Sequence, residues 1–423
     1  MIKKFLQSEL VRNGTVLISG NAIGQIVTLL VYIFLSYIYS KDDFGVFGVF
    51  LSVVTILNLL ATGRYEDAIM LSSSQKESKA VIGLSVKLVF VFSIGLFFIL
   101  FVGRNHLFSF LKIQTIVSYW YWIPITVFFT GLFAILTQLA NKNKRYKWIA
   151  ASNISLNSTS SALKIGFKYI LPGASGLIVG HFLGQCLACF SFIHLKNQFI
   201  SALPPNWKEE KQAALTYKAF PQYNMTRQLV YVFSNNLPFL WLISYFGGSN
   251  LGLLTMASTL LFRPVSLISN SFYQALFEKT NTYTQLKERI QPLLTSFLKN
   301  ITVLFLPFFI IAYLMSPWLF SVILSAEWTD LSIYFRIMLP WTFIKLFSSS
   351  LSFLPLIFHK QQVIFGLEVI LLLVRLLALQ IGIYYGDFQL CITLYAWTGF
   401  FFSMINLVWY LVLIGRYERS LNS

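Results

Sequence analysis

Twelve apolar stretches of membrane-spanning length run through this chain, at 14–38, 44–63, 80–103, 118–140, 148–168, 174–195, 224–246, 250–276, 293–316, 331–357, 361–385 and 388–414. About 20 apolar residues cross a hydrocarbon core roughly 30 Å thick when they are helical. Lipid offers no hydrogen bonds, so every backbone N–H and C=O needs a partner within the protein. Only helices and closed barrels meet that demand. Barrel strands would alternate in polarity over segments of about ten residues, and this chain has no such alternation. The expectation is an all-α polytopic membrane protein with twelve transmembrane helices, some long enough to tilt. Only 11% of residues are charged, against about 25% in soluble domains. The first stretch is too long for a cleavable signal and is followed by eleven more, so it reads as a signal anchor.

The loops carry an orientation signal, because Lys and Arg collect on the cytoplasmic side. With the N-terminus inside, the cytoplasmic segments hold 20 cations, from Lys3, Lys4 and Arg12 to Arg416 and Arg419. The opposite segments hold four: Lys41, Arg104, Lys112 and Lys168. Both termini are therefore expected in the cytoplasm. The net charge of +17 is mostly topology, and nucleic acid is not an expected partner.

The longest connection, 196–218, contains Pro204-Pro205 and Lys208-Glu209-Glu210-Lys211. It divides the chain into an N-terminal six-helix bundle (1–195), a cytoplasmic linker (196–218) and a C-terminal six-helix bundle (219–423). The halves echo one another faintly. Leu35-Ser36-Tyr37 precedes a polar turn and Gly45, and Ile243-Ser244-Tyr245 precedes a polar turn and Gly252. Six helices per half would give repeats of the same orientation; chance likeness between apolar segments is the other reading.

Eight cations fall inside spans: Lys87, Lys164, Arg227, Arg263, Lys299, Arg336, Lys345 and Arg375. Of 15 acids only Glu368 does. A central charge costs roughly 2.5–3.5 kcal/mol on insertion scales, and such residues usually face a bundle interior or a wet cavity. Lys87, Lys164, Arg227 and Lys299 lie within about two turns of a span end, where snorkelling to headgroups is the alternative. Arg263, Lys345 and Arg375 lie near mid-span, and Arg336 is intermediate. Arg263 is followed by Pro264, which frees a carbonyl and kinks a helix. Glu368 and Arg375 share a helical face. Asn21 and Gln25 on the first span, Asn58 on the second, and Asn235 and Asn236 on the seventh are candidates for a polar lumen, or for hydrogen bonds between helices. A cation-rich, acid-poor interior suits an anionic substrate.

Exporters of cationic drugs need membrane-embedded acids, and here only Glu368 qualifies, with Glu66 and Asp67 at the inner end of the second span. No phosphate loop, zinc-ligand cluster or Ser/His/Asp set is present, so no catalytic residues, metal or cofactor are expected. The C-x-x-C of Cys186 and Cys189 sits in an apolar helix and reads as packing. No segment outside the membrane is long enough for a soluble catalytic domain.

Several elements resemble one family. Arg64-Tyr65-Glu66-Asp67-Ala68-Ile69 is similar to the R-Y-E-x-A-I element of bacterial polysaccharide repeat-unit flippases of the Wzx type. Gly176-Leu177-Ile178 through Gly180, Phe220-Pro221-Gln222-Tyr223 leading into Asn236-Leu237-Pro238, and Glu327-Trp328 through Arg336-Ile337-Met338 and Pro340-Trp341 fit in the same order. Ser72-Ser73-Ser74 departs from the pattern, since relatives often carry a proline there. The resemblance implies the multidrug/oligosaccharidyl-lipid/polysaccharide (MOP) exporter fold, which is MATE-like, with two six-helix bundles around a cavity lined mainly by helices 1, 2, 7 and 8. It implies a flippase moving undecaprenyl-pyrophosphate-linked oligosaccharide across the bacterial cytoplasmic (inner) membrane for O-antigen, capsule or exopolysaccharide biosynthesis. Arg64, Arg227 and Arg263 would face or approach the cavity, with Lys345 and Arg375 as further cations and Glu66, Asp67 or Glu368 as coupling or charge partners. A polysaccharide polymerase and a chain-length regulator are expected protein partners. The alternatives are a MATE-like cation or drug antiporter, a membrane polysaccharide polymerase, and a scaffold of the assembly complex.

Overall fold

The computed structural model describes residues 24–25, 27–203 and 207–422; Asn21 lies outside them. Residues 14–23 of the first expected span lie outside them too. The structure is all-helical, and every expected span coincides with a helix among the described residues. These are α1 (Val27–Ile38), α2 (Lys41–Thr62), α3 (Gln75–Phe110), α4 (Trp122–Lys142), α5 (Tyr146–Lys168), α6 (Ser175–Phe190), α7 (226–246), α8 (248–285), α9 (Gln291–Ile323), α10 (Leu331–Ser350), α11 (Gln361–Tyr384) and α12 (Phe388–Asn422). Helices α7 and α8 form one continuous element broken at Gly247, whose φ of 75° and ψ of 176° only glycine adopts without strain.

By length and apolarity eight helices among the described residues can cross a membrane, with 220–285 taken as one. The number is nine if α6 and the bent Ile193–Ile200 segment form one span. Helix α5 is left out because its middle is polar, with Asn153, Asn157, Thr159 and Ser160 among its side chains. The helix absorbs much of this polarity itself. Asn157 donates to the Asn153 carbonyl at 2.8 Å, while Thr28 of α1 donates to Asn157 Oδ1 at 3.0 Å.

The Gly176–Gly180–Gly184 spacing has a packing cause. A Cβ on Gly180 would lie 2.6 Å from the Lys164 backbone nitrogen, and one on Gly184 would lie 2.5 Å from Ser160 Cβ. Small residues four apart let α6 lie directly on α5, as in membrane helix pairs generally.

The chain divides into two compact units, Met1–Gly252 and Leu253–Ser423. Helix α7, placed in the second bundle from the sequence, falls in the first unit. Its end is locked to the start of α2 by glycines. A Cβ on Gly45 would overlap the Gly248 carbonyl, one on Gly252 would overlap the Lys41 carbonyl, and one on Gly248 would lie 2.6 Å from Asp42 Oδ1. The two turns that echo each other in sequence thus meet backbone to backbone. On the other side of this contact Ser40 and Asp43 form a reciprocal capping box at the start of α2.

The 196–218 connection is folded onto its own unit. Its helix Trp207–Thr216 lies along the start of α3. Glu210, 5% exposed, pairs with Lys87 at 2.5 Å, and Glu209 pairs with Lys76 at 3.0 Å. Tyr217 donates to Glu77 at 2.9 Å and Tyr65 to the Ala214 carbonyl at 3.2 Å. Ala213 joins Ala68, Ile82, Leu139 and Phe192 in one apolar core. Lys87 is therefore held by a carboxylate from the connection, although its position near a span end suggested snorkelling.

In the second unit, the Glu418 carboxylate of α12 accepts from the Ile290 and Gln291 N–H groups at 2.8 and 2.9 Å. It satisfies donors that the first turn of α9 leaves unpaired and complements the helix dipole. Leu276, Leu294, Phe353 and Tyr410 pack beside it.

Glu210→Ala leaves a cation in α3 without its partner and is expected to cost on the order of 2 kcal/mol. Glu209→Ala, whose partner Lys76 is 75% exposed, is expected to cost under about 1 kcal/mol. Thermal unfolding in detergent checks the order of the two.

Candidate functional site

Cations in and beside the spans are held in two different ways. At the turn after α2, Gly63 and Arg64 both adopt left-handed conformations, with φ of 55° and 61°. This reversal brings the guanidinium back over the next turn. Arg64 Nη2 lies 2.6 Å from Asp67 Oδ2, and Nη1 lies 3.8 Å from Glu66 Oε1. Thr62 donates to Glu66 at 3.2 Å and Gln138 of α4 donates to Asp67 at 3.0 Å. Two carboxylates thus face one guanidinium. Burial pushes the Glu66 carboxyl above its ordinary range, and the neighbouring Asp67 charge adds to the shift. Asp67 is raised by burial as well, against the pull of Arg64 and Gln138. Glu66 Oε2 is buried with no hydrogen-bond partner among the described residues. This cluster can hold a proton.

In the second unit three span cations lie against rings. Arg375 of α11, 1% exposed, has its guanidinium 4.5 Å from the Tyr395 ring centroid and 5.2 Å from that of Trp341. Lys345 of α10 lies 4.8 Å from Phe262 and 5.2 Å from Trp341. Trp341 is the shared element, and Gly399 of α12 makes room for it: a Cβ there would overlap the indole. Phe262 and Tyr395 meet this indole edge-on at 4.7 and 5.3 Å. Arg336 donates from Nε to the Tyr313 carbonyl at 2.8 Å, with its guanidinium 5.0 Å from the Tyr313 ring. In the first unit, Lys164 is similarly placed, 4.9 Å from Phe47 and 5.7 Å from Tyr32. Ring faces attract a cation through their quadrupole, most strongly where water is excluded. Unlike a carboxylate, a ring carries no formal charge, so a ring contact does not neutralise the cation it holds.

The other expected residues are dispersed. Arg263 is half-buried, one residue before Pro264, and its carbonyl accepts from Ser266 at 2.9 Å. Arg227 is exposed, just after the π-helical turn Phe220–Met225. Asn235 and Asn236 donate back to the Tyr231 and Val232 carbonyls. Gln25 Oε1 and Asn58 Oδ1 are buried without a hydrogen-bond partner among the described residues. Glu368 acts electrostatically on the Tyr410 hydroxyl, so its neighbourhood includes α12 as well as its own helix. The structure brings together Arg64, Glu66 and Asp67 in one cluster and Lys345 and Arg375 in another. Sequence reasoning missed the rings Trp341, Tyr395 and Phe262. Pro340-Trp341 stood out in the sequence, but with no indication of what the indole holds. Among the described residues no group of side chains is arranged to hold a metal ion.

This architecture defines a multi-pass membrane protein with the fold of the MOP superfamily. It aligns with the lipid II flippase MurJ in an inward closed conformation, with a TM-score of 0.73 and 13% identity over 97% of this chain and 91% of that one. It also aligns with an inward-facing multidrug resistance MATE family transporter of the MOP superfamily, at TM-score 0.68 and 13% identity over 96% and 99%. A MOP superfamily transporter from Pyrococcus furiosus, described as having a reversed binding-pocket polarity that suggests a different function, gives TM-score 0.59 and 11% identity over 96% of each chain. These are folds of transporters, not of enzymes. No curated protein sequence matches. Residues 34–333 match the polysaccharide biosynthesis protein family, and the chain belongs to that family.

The raised carboxyl of Glu66 makes a signed prediction. A group whose folded value is raised contributes stability while protonated and loses it as pH rises through that folded value. Glu66→Gln is expected to unfold at a higher temperature than the unchanged protein in mildly alkaline buffer. The difference should shrink as pH falls toward the acid side, and melting curves across pH check it.

Proposed function

We propose that this protein is a flippase. It carries undecaprenyl-pyrophosphate-linked oligosaccharide repeat units from the cytoplasmic to the outer leaflet of a bacterial inner membrane. The observation that carries the reading is the sign and the holding of the interior charge. Among the span cations, Lys345 lies over aromatic rings and Arg336 on a ring and a carbonyl, contacts that carry no formal charge and leave theirs in place, and Arg375 shares the Trp341 ring with Lys345. A pyrophosphate is the complementary ligand: guanidinium and ammonium donors form short charge-assisted bonds to its oxygens. Arg263, beside its proline, is the strongest mid-span candidate, with Arg227, Lys345 and Arg375 as further contacts. The amide oxygens of Asn58 and Gln25, buried without a hydrogen-bond partner among the described residues, are suited to sugar hydroxyls, with Asn235 and Asn236 as further polar contacts. The polyprenyl tail needs only lipid.

The polarity argument applied to the Pyrococcus transporter works here too. A cation antiporter of the same fold needs interior acids, and this chain has one within its spans. The lysine and arginine asymmetry puts both termini and the 196–218 connection in the cytoplasm. Arg64 is then at the cytoplasmic mouth, with Glu66 and Asp67 as the groups able to couple transport to protons. The glycine-locked turns at Gly45 and Gly248 close the opposite end, and alternating access requires them to part. Polymerase and chain-length regulator proteins would take the delivered units.

In a deletion strain, single lipid-linked repeat units should accumulate on the cytoplasmic leaflet. The intact gene should clear them. Arg263→Ala, at normal abundance, should lower export by about tenfold, the effect of losing one charged hydrogen bond. Undiminished export with Arg263→Ala would remove this residue from the site. Ethidium efflux by the protein would instead favour the antiporter.

Closure at the glycine contact has its own test. Asp42→Cys with Gly248→Cys should form a disulfide that stops export, and a reductant should restore it. Export continuing with the disulfide formed would mean that these turns do not separate during transport.

A further inference from the structure

The first unit contains an apolar slot that the proposed cationic path does not use. It lies among α2, α3 and α7 and has a volume of about 440 Å³. Leu57, Leu100, Leu107, Phe233, Leu237 and Trp241 are among its walls. Apart from the Trp241 indole, its lining side chains are hydrocarbon. At one end α3 stops in a tight turn whose residues Leu111 and Ile113 also line the slot. Lys112 sits between them with φ of 55°, a left-handed position that a helix end usually gives to glycine. Two backbone bonds hold it there: Lys112 N–H to the Ser109 carbonyl at 3.0 Å, and Ile113 N–H to the Phe108 carbonyl at 2.9 Å. Its ammonium lies 5.4 Å from the ring of Tyr245, one turn along α7 from Trp241. Arg104, in the last two turns of α3, is turned onto Trp120 at 5.2 Å. Between two residues that line the slot, then, stands a cation whose backbone is held by these bonds and whose ammonium lies over a neighbouring ring.

Hydrocarbon walls with an ammonium at one mouth are complementary to an amphiphile with a long chain and an anionic head. We propose that the slot binds a segment of the isoprenoid chain of a lipid phosphate, with Lys112 meeting the phosphate. The assignment of an isoprenoid carrier rests on the flippase reading above. A volume of this size falls in the range of pockets that enclose a small ligand. It takes a few isoprene units, and the rest of the chain stays in the bilayer. Lys112 lies on the side opposite the 196–218 connection, so the slot holds the carrier in the leaflet that receives the substrate. Its role is to retain the tail there while the headgroup leaves the cationic path.

The test uses the full-length protein in phosphatidylcholine nanodiscs and a photoactivatable undecaprenyl phosphate. Labelled peptides are mapped by mass spectrometry. Label is expected on α3 and α7 around Leu107 and Leu237. Leu237→Trp, which fills the slot, should reduce it by about tenfold, and Lys112→Gln by about threefold, near the size of one charge contact in a partly screened setting. Undecaprenol, which lacks the phosphate, should label no better than the Lys112→Gln protein. Label on α3 and α7 that persists in a folded Leu237→Trp protein, or that maps elsewhere in the unchanged protein, overturns the proposal. Equal displacement by phosphatidylglycerol also overturns it, because the slot would then hold any anionic lipid. Mapping on the unchanged protein decides the matter even if Leu237→Trp does not fold. This result is separable from the flippase test. Label in the slot with normal export in the deletion strain would sink the flippase reading alone. Accumulated repeat units with label elsewhere would sink the slot alone.

Discussion

A cation in hydrocarbon must be held by something, and the choice of holder decides what the charge can still do. A carboxylate partner cancels the field and leaves a neutral pair. An aromatic face stabilises the cation through a quadrupole and cancels nothing. This protein uses both. Lys87 is paired with Glu210, and Arg64 with Glu66 and Asp67, at the end where the connecting helix docks. Within the spans, Lys345 and Arg375 lie against Trp341, Tyr395 and Phe262, and Arg336 against Tyr313.

The helix packing serves that arrangement. Gly399 clears space for the Trp341 indole, and without that space the ring could not stand beside Lys345 and Arg375. Gly180 and Gly184 bring α6 onto α5, where Lys164 lies against Phe47. Glycine here acts through close approach, since each site would lose its geometry to a single methyl group. At the Gly45–Gly248 contact the same device joins two turns that have to separate if the path opens at that end. The contact is made largely of backbone and glycine, with the Asp42 carboxylate beside Gly248. The carboxylate-paired cations, by contrast, tie the connecting helix to α3 and give that end of the unit a fixed frame.

The spans were legible in the sequence because hydropathy acts locally: about 20 apolar residues in a row leave few alternatives in lipid. Helix α5 was the weakest of them, since its Ser and Asn residues dilute the apolar signal. The Arg64 cluster was also legible, because all three charges lie within four residues of one another. Its meaning was not. Arg64 read as a cavity cation, and only the left-handed turn at residues 63–64 shows that it folds back onto the acids. The Lys87–Glu210 pair spans 123 positions, beyond any local pattern, so the 196–218 segment read as a free linker. The ring partners of Lys345 and Arg375 were hidden for the same reason. The echo of Leu35-Ser36-Tyr37 in Ile243-Ser244-Tyr245 was visible as likeness, but not as a contact.

The central claim is that positive charge inside the spans moves a pyrophosphate headgroup. The most direct measurement is translocation itself. Purified protein in liposomes would be given a fluorescent undecaprenyl-pyrophosphate oligosaccharide in one leaflet, and its arrival in the other would be followed with a membrane-impermeant quencher. The account predicts protein-dependent translocation that slows when Lys345 or Arg263 is neutralised and is not inhibited by organic cations. Translocation that is indifferent to both neutralisations, or none at all alongside export of an organic cation, would contradict it.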